Sequence, residues 1–226
     1  MKTMTVSAPG KLMLLGEHAV VYNRPCLVTA VGQRMRASVT ILDSLEFQLD
    51  APDVQVSGYK KTLTELGNGE IPKGAKFVEI AIKNFNEKFP LTNGIRVETS
   101  SEFSSKLGFG SSSASTVCVI TAVSALTGNK LNSKELFELA YKTVLDIQGK
   151  GSGFDVAAAI YGGTLYFMTG GKVIEPLDVN ELPLVVGYSG VKADTVTLMN
   201  QVLELSKKKP DMVEGIYNKM RDLVEE

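Results

Sequence analysis

The residues of this chain best placed to do chemistry lie in three short clusters, and the most informative reads Gly108-Phe109-Gly110-Ser111-Ser112-Ser113-Ala114-Ser115-Thr116. It stands between a polar stretch and the apolar run Val117 to Leu126, as a loop opening a helix would be written. Gly108 and Gly110 can take backbone angles closed to other residues and leave room for an anion beside the main chain. Ser111, Ser112 and Ser113 then set hydroxyls and amide N–H groups at the positive end of that helix. Such a loop suits a nucleotide phosphate; a plain helix N-cap is written with the same residue types. The spacing is neither G-x-x-x-x-G-K-[ST] nor G-x-G-x-x-G.

The second cluster runs from Ala8 to Val21 and brackets a short apolar strand with Lys11 on one side and Glu17 and His18 on the other. His18 is the only histidine in the chain. At the end of an apolar strand it reads as a buried hydrogen-bonding residue or as a catalyst, and Lys11 after Pro9-Gly10 reads equally as a solvated turn lysine. In the third cluster, Gln148 to Asp155, a glycine-rich turn delivers one carboxylate to the small, close-packing segment Val156-Ala157-Ala158-Ala159. Asp155 there is either a helix cap or a working acid–base group.

The elements that must hold these clusters follow from pattern. Residues 5–8, 12–15, 26–31, 34–42, 45–49 and 94–99 read as strands, β-branched or alternating and broken by Gly, Asn, Asp or Pro. Residues 76–88, 113–127 and 133–144 read as helices, the last capped by Asn132 or Ser133 with Glu135 in its first turn. Residues 163–169 and 172–176 form a hairpin around Gly170-Gly171. A strand is expected after Glu181, then helices over 195–207 and 210–226, which sets a domain boundary near residue 180. Strands in runs and helices in runs argue an α+β fold.

In this order and at these separations the three clusters resemble the GHMP kinase superfamily. Pro9-Gly10-Lys11, followed by Gly16-Glu17-His18-Ala19-Val20-Val21, is similar to the first motif of that family as its mevalonate kinases write it. Gly108 to Ala114 resembles the second motif, with Phe109 where Leu is usual and Ser113 where Ala is usual. Gln148 to Asp155 resembles the segment carrying the catalytic aspartate, in wording closer to phosphomevalonate kinases. The stretch Leu182 to Gly190 with Thr195 resembles the strand and turn that follow in archaeal-type mevalonate kinases.

The resemblance implies a two-domain GHMP kinase fold. A ribosomal-protein-S5-domain-2-like domain over residues 1–180 carries nucleotide binding and catalysis, and residues 181–226 begin an incomplete ferredoxin-like domain. It implies ATP and Mg2+ as cofactors and a small anionic acceptor, mevalonate or phosphomevalonate. Asp155 would take the proton of the acceptor hydroxyl, with Lys11 beside it favouring the charged carboxylate. Gly108, Phe109, Gly110, Ser111, Ser112 and Ser113 would hold the ATP phosphates, and the Ser112 hydroxyl would reach the metal. Glu17, His18, Ser152 and Thr195 would face the acceptor. A binding module with impaired catalysis is the alternative of a different class.

Two departures accompany the resemblance. The second acidic metal ligand of mevalonate kinases falls here on Val144, with Asp146 the nearest acid. The third glycine-rich motif of the family is absent from these residues, which implies a truncated or split chain whose uncovered apolar surface favours a homodimer or reliance on another chain.

Composition adds exclusions. A net charge of −1 and a pI near 6.0 give no basic footprint for nucleic acid. Cys26 and Cys118 are too few and too isolated for a disulfide framework and read as buried thiols. With no long apolar run and no charged leader, neither a membrane span nor a signal peptide is indicated, so a cytoplasmic location is expected.

Overall fold

The longest strand organises the sheet. In the computed structural model, which describes residues 2–179, 181–191 and 195–226 apart from the side chains of Thr195 and Val196, β2 (Cys26–Ile41) is shared among three neighbours. β1 (Thr3–Leu15) runs antiparallel along it. The C-terminal half of β2 pairs with β5 (Ile95–Ser101), and its N-terminal end pairs with β6 (Thr164–Met168). β3 (Glu46–Ala51) lies parallel to β5 and carries the edge strand β4 (Val56–Thr62), while β7 (Val173–Leu177) closes the other side. The result is a seven-stranded mixed sheet of order β4-β3-β5-β2-β6-β7 with β1 on β2.

Helices α1 (Lys76–Lys88), α2 (Ser111–Thr127), α3 (Ser133–Gln148) and α4 (Phe154–Tyr161) form a second layer. The α2 sequence contains no charged residue, and residues 113–120 and 122–124 of it are buried. It packs on β1 and β2 and also touches α1, α3 and α4. α3 opens with a capping box, in which Asn132 accepts from the Glu135 N–H at 2.9 Å and the Glu135 side chain accepts from the Asn132 N–H at 2.9 Å.

Four expectations are corrected. Residues 5–8 and 12–15 are one strand, as are 26–31 and 34–41, because β1 absorbs the Pro9-Gly10 step as a register shift instead of breaking there. α2 begins two residues early, at Ser111, and α3 runs on to Gln148. β4 carries a glycine and consecutive lysines and gave no strand signal. The strand expected after Glu181 is not formed: residues 181–190 take no regular structure, and Leu184, Val185 and Val186 are exposed. No described strand pairs with this segment to take up its backbone hydrogen bonds, and an apolar run is no strand without one. The expected boundary near 180 falls on Asn180, outside the described residues. α5 (Thr195–Lys208) and α6 (Pro210–Glu225) follow as expected, and α6 packs on β1, β2 and the short 3-10 turn Ala19–Tyr22. Among the described residues no helix is long and apolar enough to cross a membrane.

Candidate active site

Lys11 reaches the site through the irregularity in β1. The register shift between Pro9 and Lys11 frees the Lys11 N–H from the ladder, and it donates to the Phe109 carbonyl at 3.0 Å. Such shifts re-aim a side chain out of the regular alternation. The residue before it has to be small: a Cβ on Gly10 would stand 3.1 Å from the Phe109 carbonyl oxygen and 3.2 Å from the Phe103 ring. The Lys11 ammonium then donates to the Gly108 carbonyl at 2.9 Å, lies 3.1 Å from Asp155 Oδ1 and sits 5.1 Å from the centre of the Phe154 ring. The second and third clusters, together with the glycine-serine loop, thus meet at one point.

Asp155 occupies the first turn of α4, which Gly153 opens in a left-handed conformation at φ 94°. Negative charge is favoured there by the helix dipole. Its Oδ1 is buried and takes no well-aligned hydrogen bond, so the ammonium beside it is the compensating charge. The carboxylate side chain as a whole remains about one third exposed, at 34%, open to a reactant.

α2 opens in the same way, with Gly110 at φ 74° and no side chain capping the first turn. The hydroxyls of Ser115 and Thr116 turn back to the Ser112 carbonyl at 2.9 and 2.8 Å. The first N–H groups of a helix have no intrahelical partner, so this first turn presents donors that an anion can take. Ser111 and Ser112 border a cavity of about 620 Å³ whose walls also include Gln55, Lys73, Phe77 and Thr99. The cavity is of nucleotide size, and its lining mixes polar residues such as Ser111, Ser112, Gln55 and Lys73 with the apolar Met35, Ala51, Val54 and Val78. Ser113 is buried within the first turn of α2. Phe109 packs on Phe103, ring centres 5.7 Å apart, and contributes its carbonyl to Lys11.

The four residues expected to face an acceptor differ in their surroundings. Glu17 is exposed and Ser152 is buried, its carbonyl accepting from the Gly170 N–H at 2.8 Å. His18 is half-buried, its ring near Tyr22 and near Tyr217 of α6. Burial, and then the Lys150 charge, hold its pKa below the ordinary histidine value. Thr195 begins α5, and its side chain lies outside the described residues.

For a metal, the acid two residues from Val144 offers little. Asp146 accepts from Lys142 Nζ at 2.6 Å and from Asn84 Nδ2 at 2.9 Å. Burial works to raise its pKa, and these two bonds together with the charges of Lys142 and Lys83 outweigh it and hold the carboxyl below its usual range. Val144 itself is buried in the core. Among the described residues no three His, Cys, Asp or Glu side chains gather to hold an ion, and the loop residues that border the cavity are Ser111 and Ser112.

Residues missed from sequence are those on other elements: the cavity wall from Val54, Gln55, Lys73 and Phe77, and the α6 residues beside His18. None stands in a motif, so only the folded chain brings them near.

Comparisons with known proteins agree with this arrangement. The profile of the GHMP kinases N terminal domain matches residues 76–163, which include both glycine-opened helices. The chain is 34% identical over 230 residues to the mevalonate kinase of Pyrococcus horikoshii, covering 99% of this chain and 68% of that relative. It thus spans about two thirds of the length of that curated relative. In fold it is similar to the crystal structure of Methanococcus jannaschii mevalonate kinase, with a TM-score of 0.80 at 23% identity over 99% of this chain and 72% of that one. A mevalonate kinase from L. major, solved in complex with R-mevalonate, matches with a TM-score of 0.74 at 20% identity over 99% and 68%. The expected α+β GHMP kinase fold is therefore present, and the chain belongs to the GHMP kinase family, in its mevalonate kinase branch.

Proposed function

We propose that this chain transfers the γ-phosphoryl group of ATP to the hydroxyl of mevalonate, with Asp155 and Lys11 at the reacting centre. The observation that carries the reading is the ion pair of 3.1 Å between Lys11 and Asp155 beside the uncapped first turn of α2. Phosphoryl transfer asks a protein mainly for positioning and for charge neutralisation. The cavity would take the nucleoside, with the phosphates toward the backbone of Gly108 to Ser113. Asp155 would accept the proton of the acceptor hydroxyl as the oxygen–phosphorus bond forms and the bond from the γ-phosphorus to the bridging oxygen of ADP breaks. Lys11 holds that carboxylate in place and supplies positive charge next to the transferred group. A Mg2+ ion, when bound, spreads the phosphate charge, and Ser112 is the residue that would hold it, with phosphate oxygens and water completing the shell. Glu17, His18 and Ser152 would border the acceptor.

The test is ADP release by the purified chain with magnesium and ATP, run with mevalonate, with phosphomevalonate and with neither. Turnover with mevalonate alone is expected. Asp155→Asn should lower kcat by about 10²- to 10⁴-fold while ATP binding persists. Turnover with phosphomevalonate alone, or normal turnover in the Asn variant, would overturn the assignment.

A further inference from the structure

His18 sits in an uncommon backbone state. Its φ of 62° and ψ of −47°, with the Ala19 N–H donating to the Glu17 carbonyl at 2.6 Å, make a γ-turn of the rare, strained hand. A non-glycine residue stays in such a state only where its surroundings over-determine it. α6 supplies one side of those surroundings, and Thr169, whose hydroxyl donates to the Val20 carbonyl, supplies another. Ala19 is fully buried and forms a small core with Val213 and Tyr217 of α6. The Tyr217 ring stacks on Tyr22 with centres 5.0 Å apart and planes at 17°. Arg24 ties the far side of the turn: its Nη1 donates to the Tyr22 carbonyl at 2.9 Å, its Nε donates to Asn218 Oδ1 at 3.1 Å, and its Nη2 pairs with Glu214. Under this cover His18 Nε2 is buried without a hydrogen-bond partner among the described residues.

An orphaned imidazole nitrogen beneath a tyrosine stack is not free to turn toward water. We infer that α6 is a positioning element for the acceptor side of the site: its clamp on Arg24 and its stack on Tyr22 hold the strained turn at His18 and so fix which face of the imidazole meets the acceptor. The acceptor part of this inference rests on the kinase reading above; the mechanical part does not. The charged and titratable groups around the imidazole are Glu17 beside it, Lys150 of the loop before α4, Tyr22, and Tyr217 and Glu214 of α6.

Because the chain has a single histidine, its imidazole resonances need no assignment. The experiment titrates them by NMR, without ligand, in the wild type, Arg24→Ala, Tyr217→Ala and Tyr217→Phe, and then measures kcat and KM for both substrates. In Arg24→Ala and Tyr217→Ala the midpoint should climb toward the ordinary histidine value, and the acceptor KM should rise roughly tenfold, since the ordered turn must then be recovered on binding. The ATP KM and kcat should change by under about threefold. Tyr217→Phe, which keeps the stack, should behave as the wild type. If Tyr217→Ala does not fold, Arg24→Ala carries the test, since its partner Glu214 is 58% exposed and the pair can be lost without opening a core. Wild-type titration and wild-type acceptor KM in Arg24→Ala would overturn the inference. Altered imidazole signals in an enzyme that phosphorylates no acceptor would instead sink the kinase reading and leave the role of α6 standing.

Discussion

Gly110→Ala and Gly108→Ala form a matched pair that isolates the proposed reacting centre at Lys11 and Asp155 from the loop beside it. Both glycines have left-handed backbones, at φ +74° and +78°. An alanine in either place costs about 1–2 kcal/mol, which in a chain of this size lowers Tm by about 2–8 °C. They differ in what the new methyl meets. At Gly108 there is nothing within 4 Å, whereas at Gly110 the methyl would stand 3.2 Å from Asp155 Oδ1, 3.3 Å from Lys11 Cγ and 3.4 Å from Lys11 Cε. Reaching ordinary contact requires those two side chains to give by a few tenths of an ångström, about 0.2–0.4 Å. At about 100-fold in rate for each ångström of misplacement, the loss in kcat is about 2.5- to 6-fold. Gly110→Ala should therefore lose that factor beyond Gly108→Ala, while thermal melts of the two variants agree within a few degrees. Initial-rate ADP release at saturating substrates, alongside calorimetry, measures both quantities. Equal kcat in the two variants would refute the claim that Lys11 and Asp155 do their work at this point.

Further outcomes follow from the same geometry. Glu79 is fully buried and accepts from Tyr59 Oη at 2.6 Å, Lys61 Nζ at 2.8 Å and the Gly67 N–H at 2.8 Å; Glu79→Ala strands an ammonium and a phenol and should cost about 3–5 kcal/mol in urea unfolding, with Glu79→Gln costing less. Burial pushes both thiols up to about 12, with the charges of Asp155 and Glu17 adding to the effect at Cys26; the native protein at pH 8 should give almost no reaction with a disulfide reagent, and both thiols should react in guanidinium. Burial holds His18 below its ordinary pKa of 6.5, so the unfolded chain takes up its proton first as pH falls. The stabilising contribution is full above about pH 6.5 and is lost below it toward the folded value. Urea unfolding between pH 7.5 and 5.5 should show this slope in the wild type and a flatter line in His18→Gln.

How much of this was legible in the residue order depends on whether the signal was local. The glycines that open α2 and α4 could be read because backbone freedom is a property of single residues and the apolar runs after them are helical in period, as in Ser111–Thr127. The capping box at Asn132 and Glu135 is likewise a matter of three residues' spacing. The continuity of β1 was not readable, since Pro9-Gly10 is written as a break and only the neighbouring β2 turns it into a shift of register. The edge strand β4 is held from outside itself: Tyr59 and Lys61 are fixed by Glu79 of α1, and no rule of alternation anticipates a carboxylate on a helix. The stretch 182–186 errs in the opposite direction, since its apolar run is strand-like in composition, and strands are made by their partners. The site divides along the same line. Lys11, Asp155 and the serine loop carry their signal in their own neighbourhoods, whereas the cavity wall at Gln55, Lys73 and Phe77 and the α6 cover over His18 are built from residues that are ordinary where they stand in the sequence. A turn strained at one residue and held by a helix about two hundred positions later is a property of the folded chain, and the imidazole titration in Arg24→Ala is the measurement that reaches it.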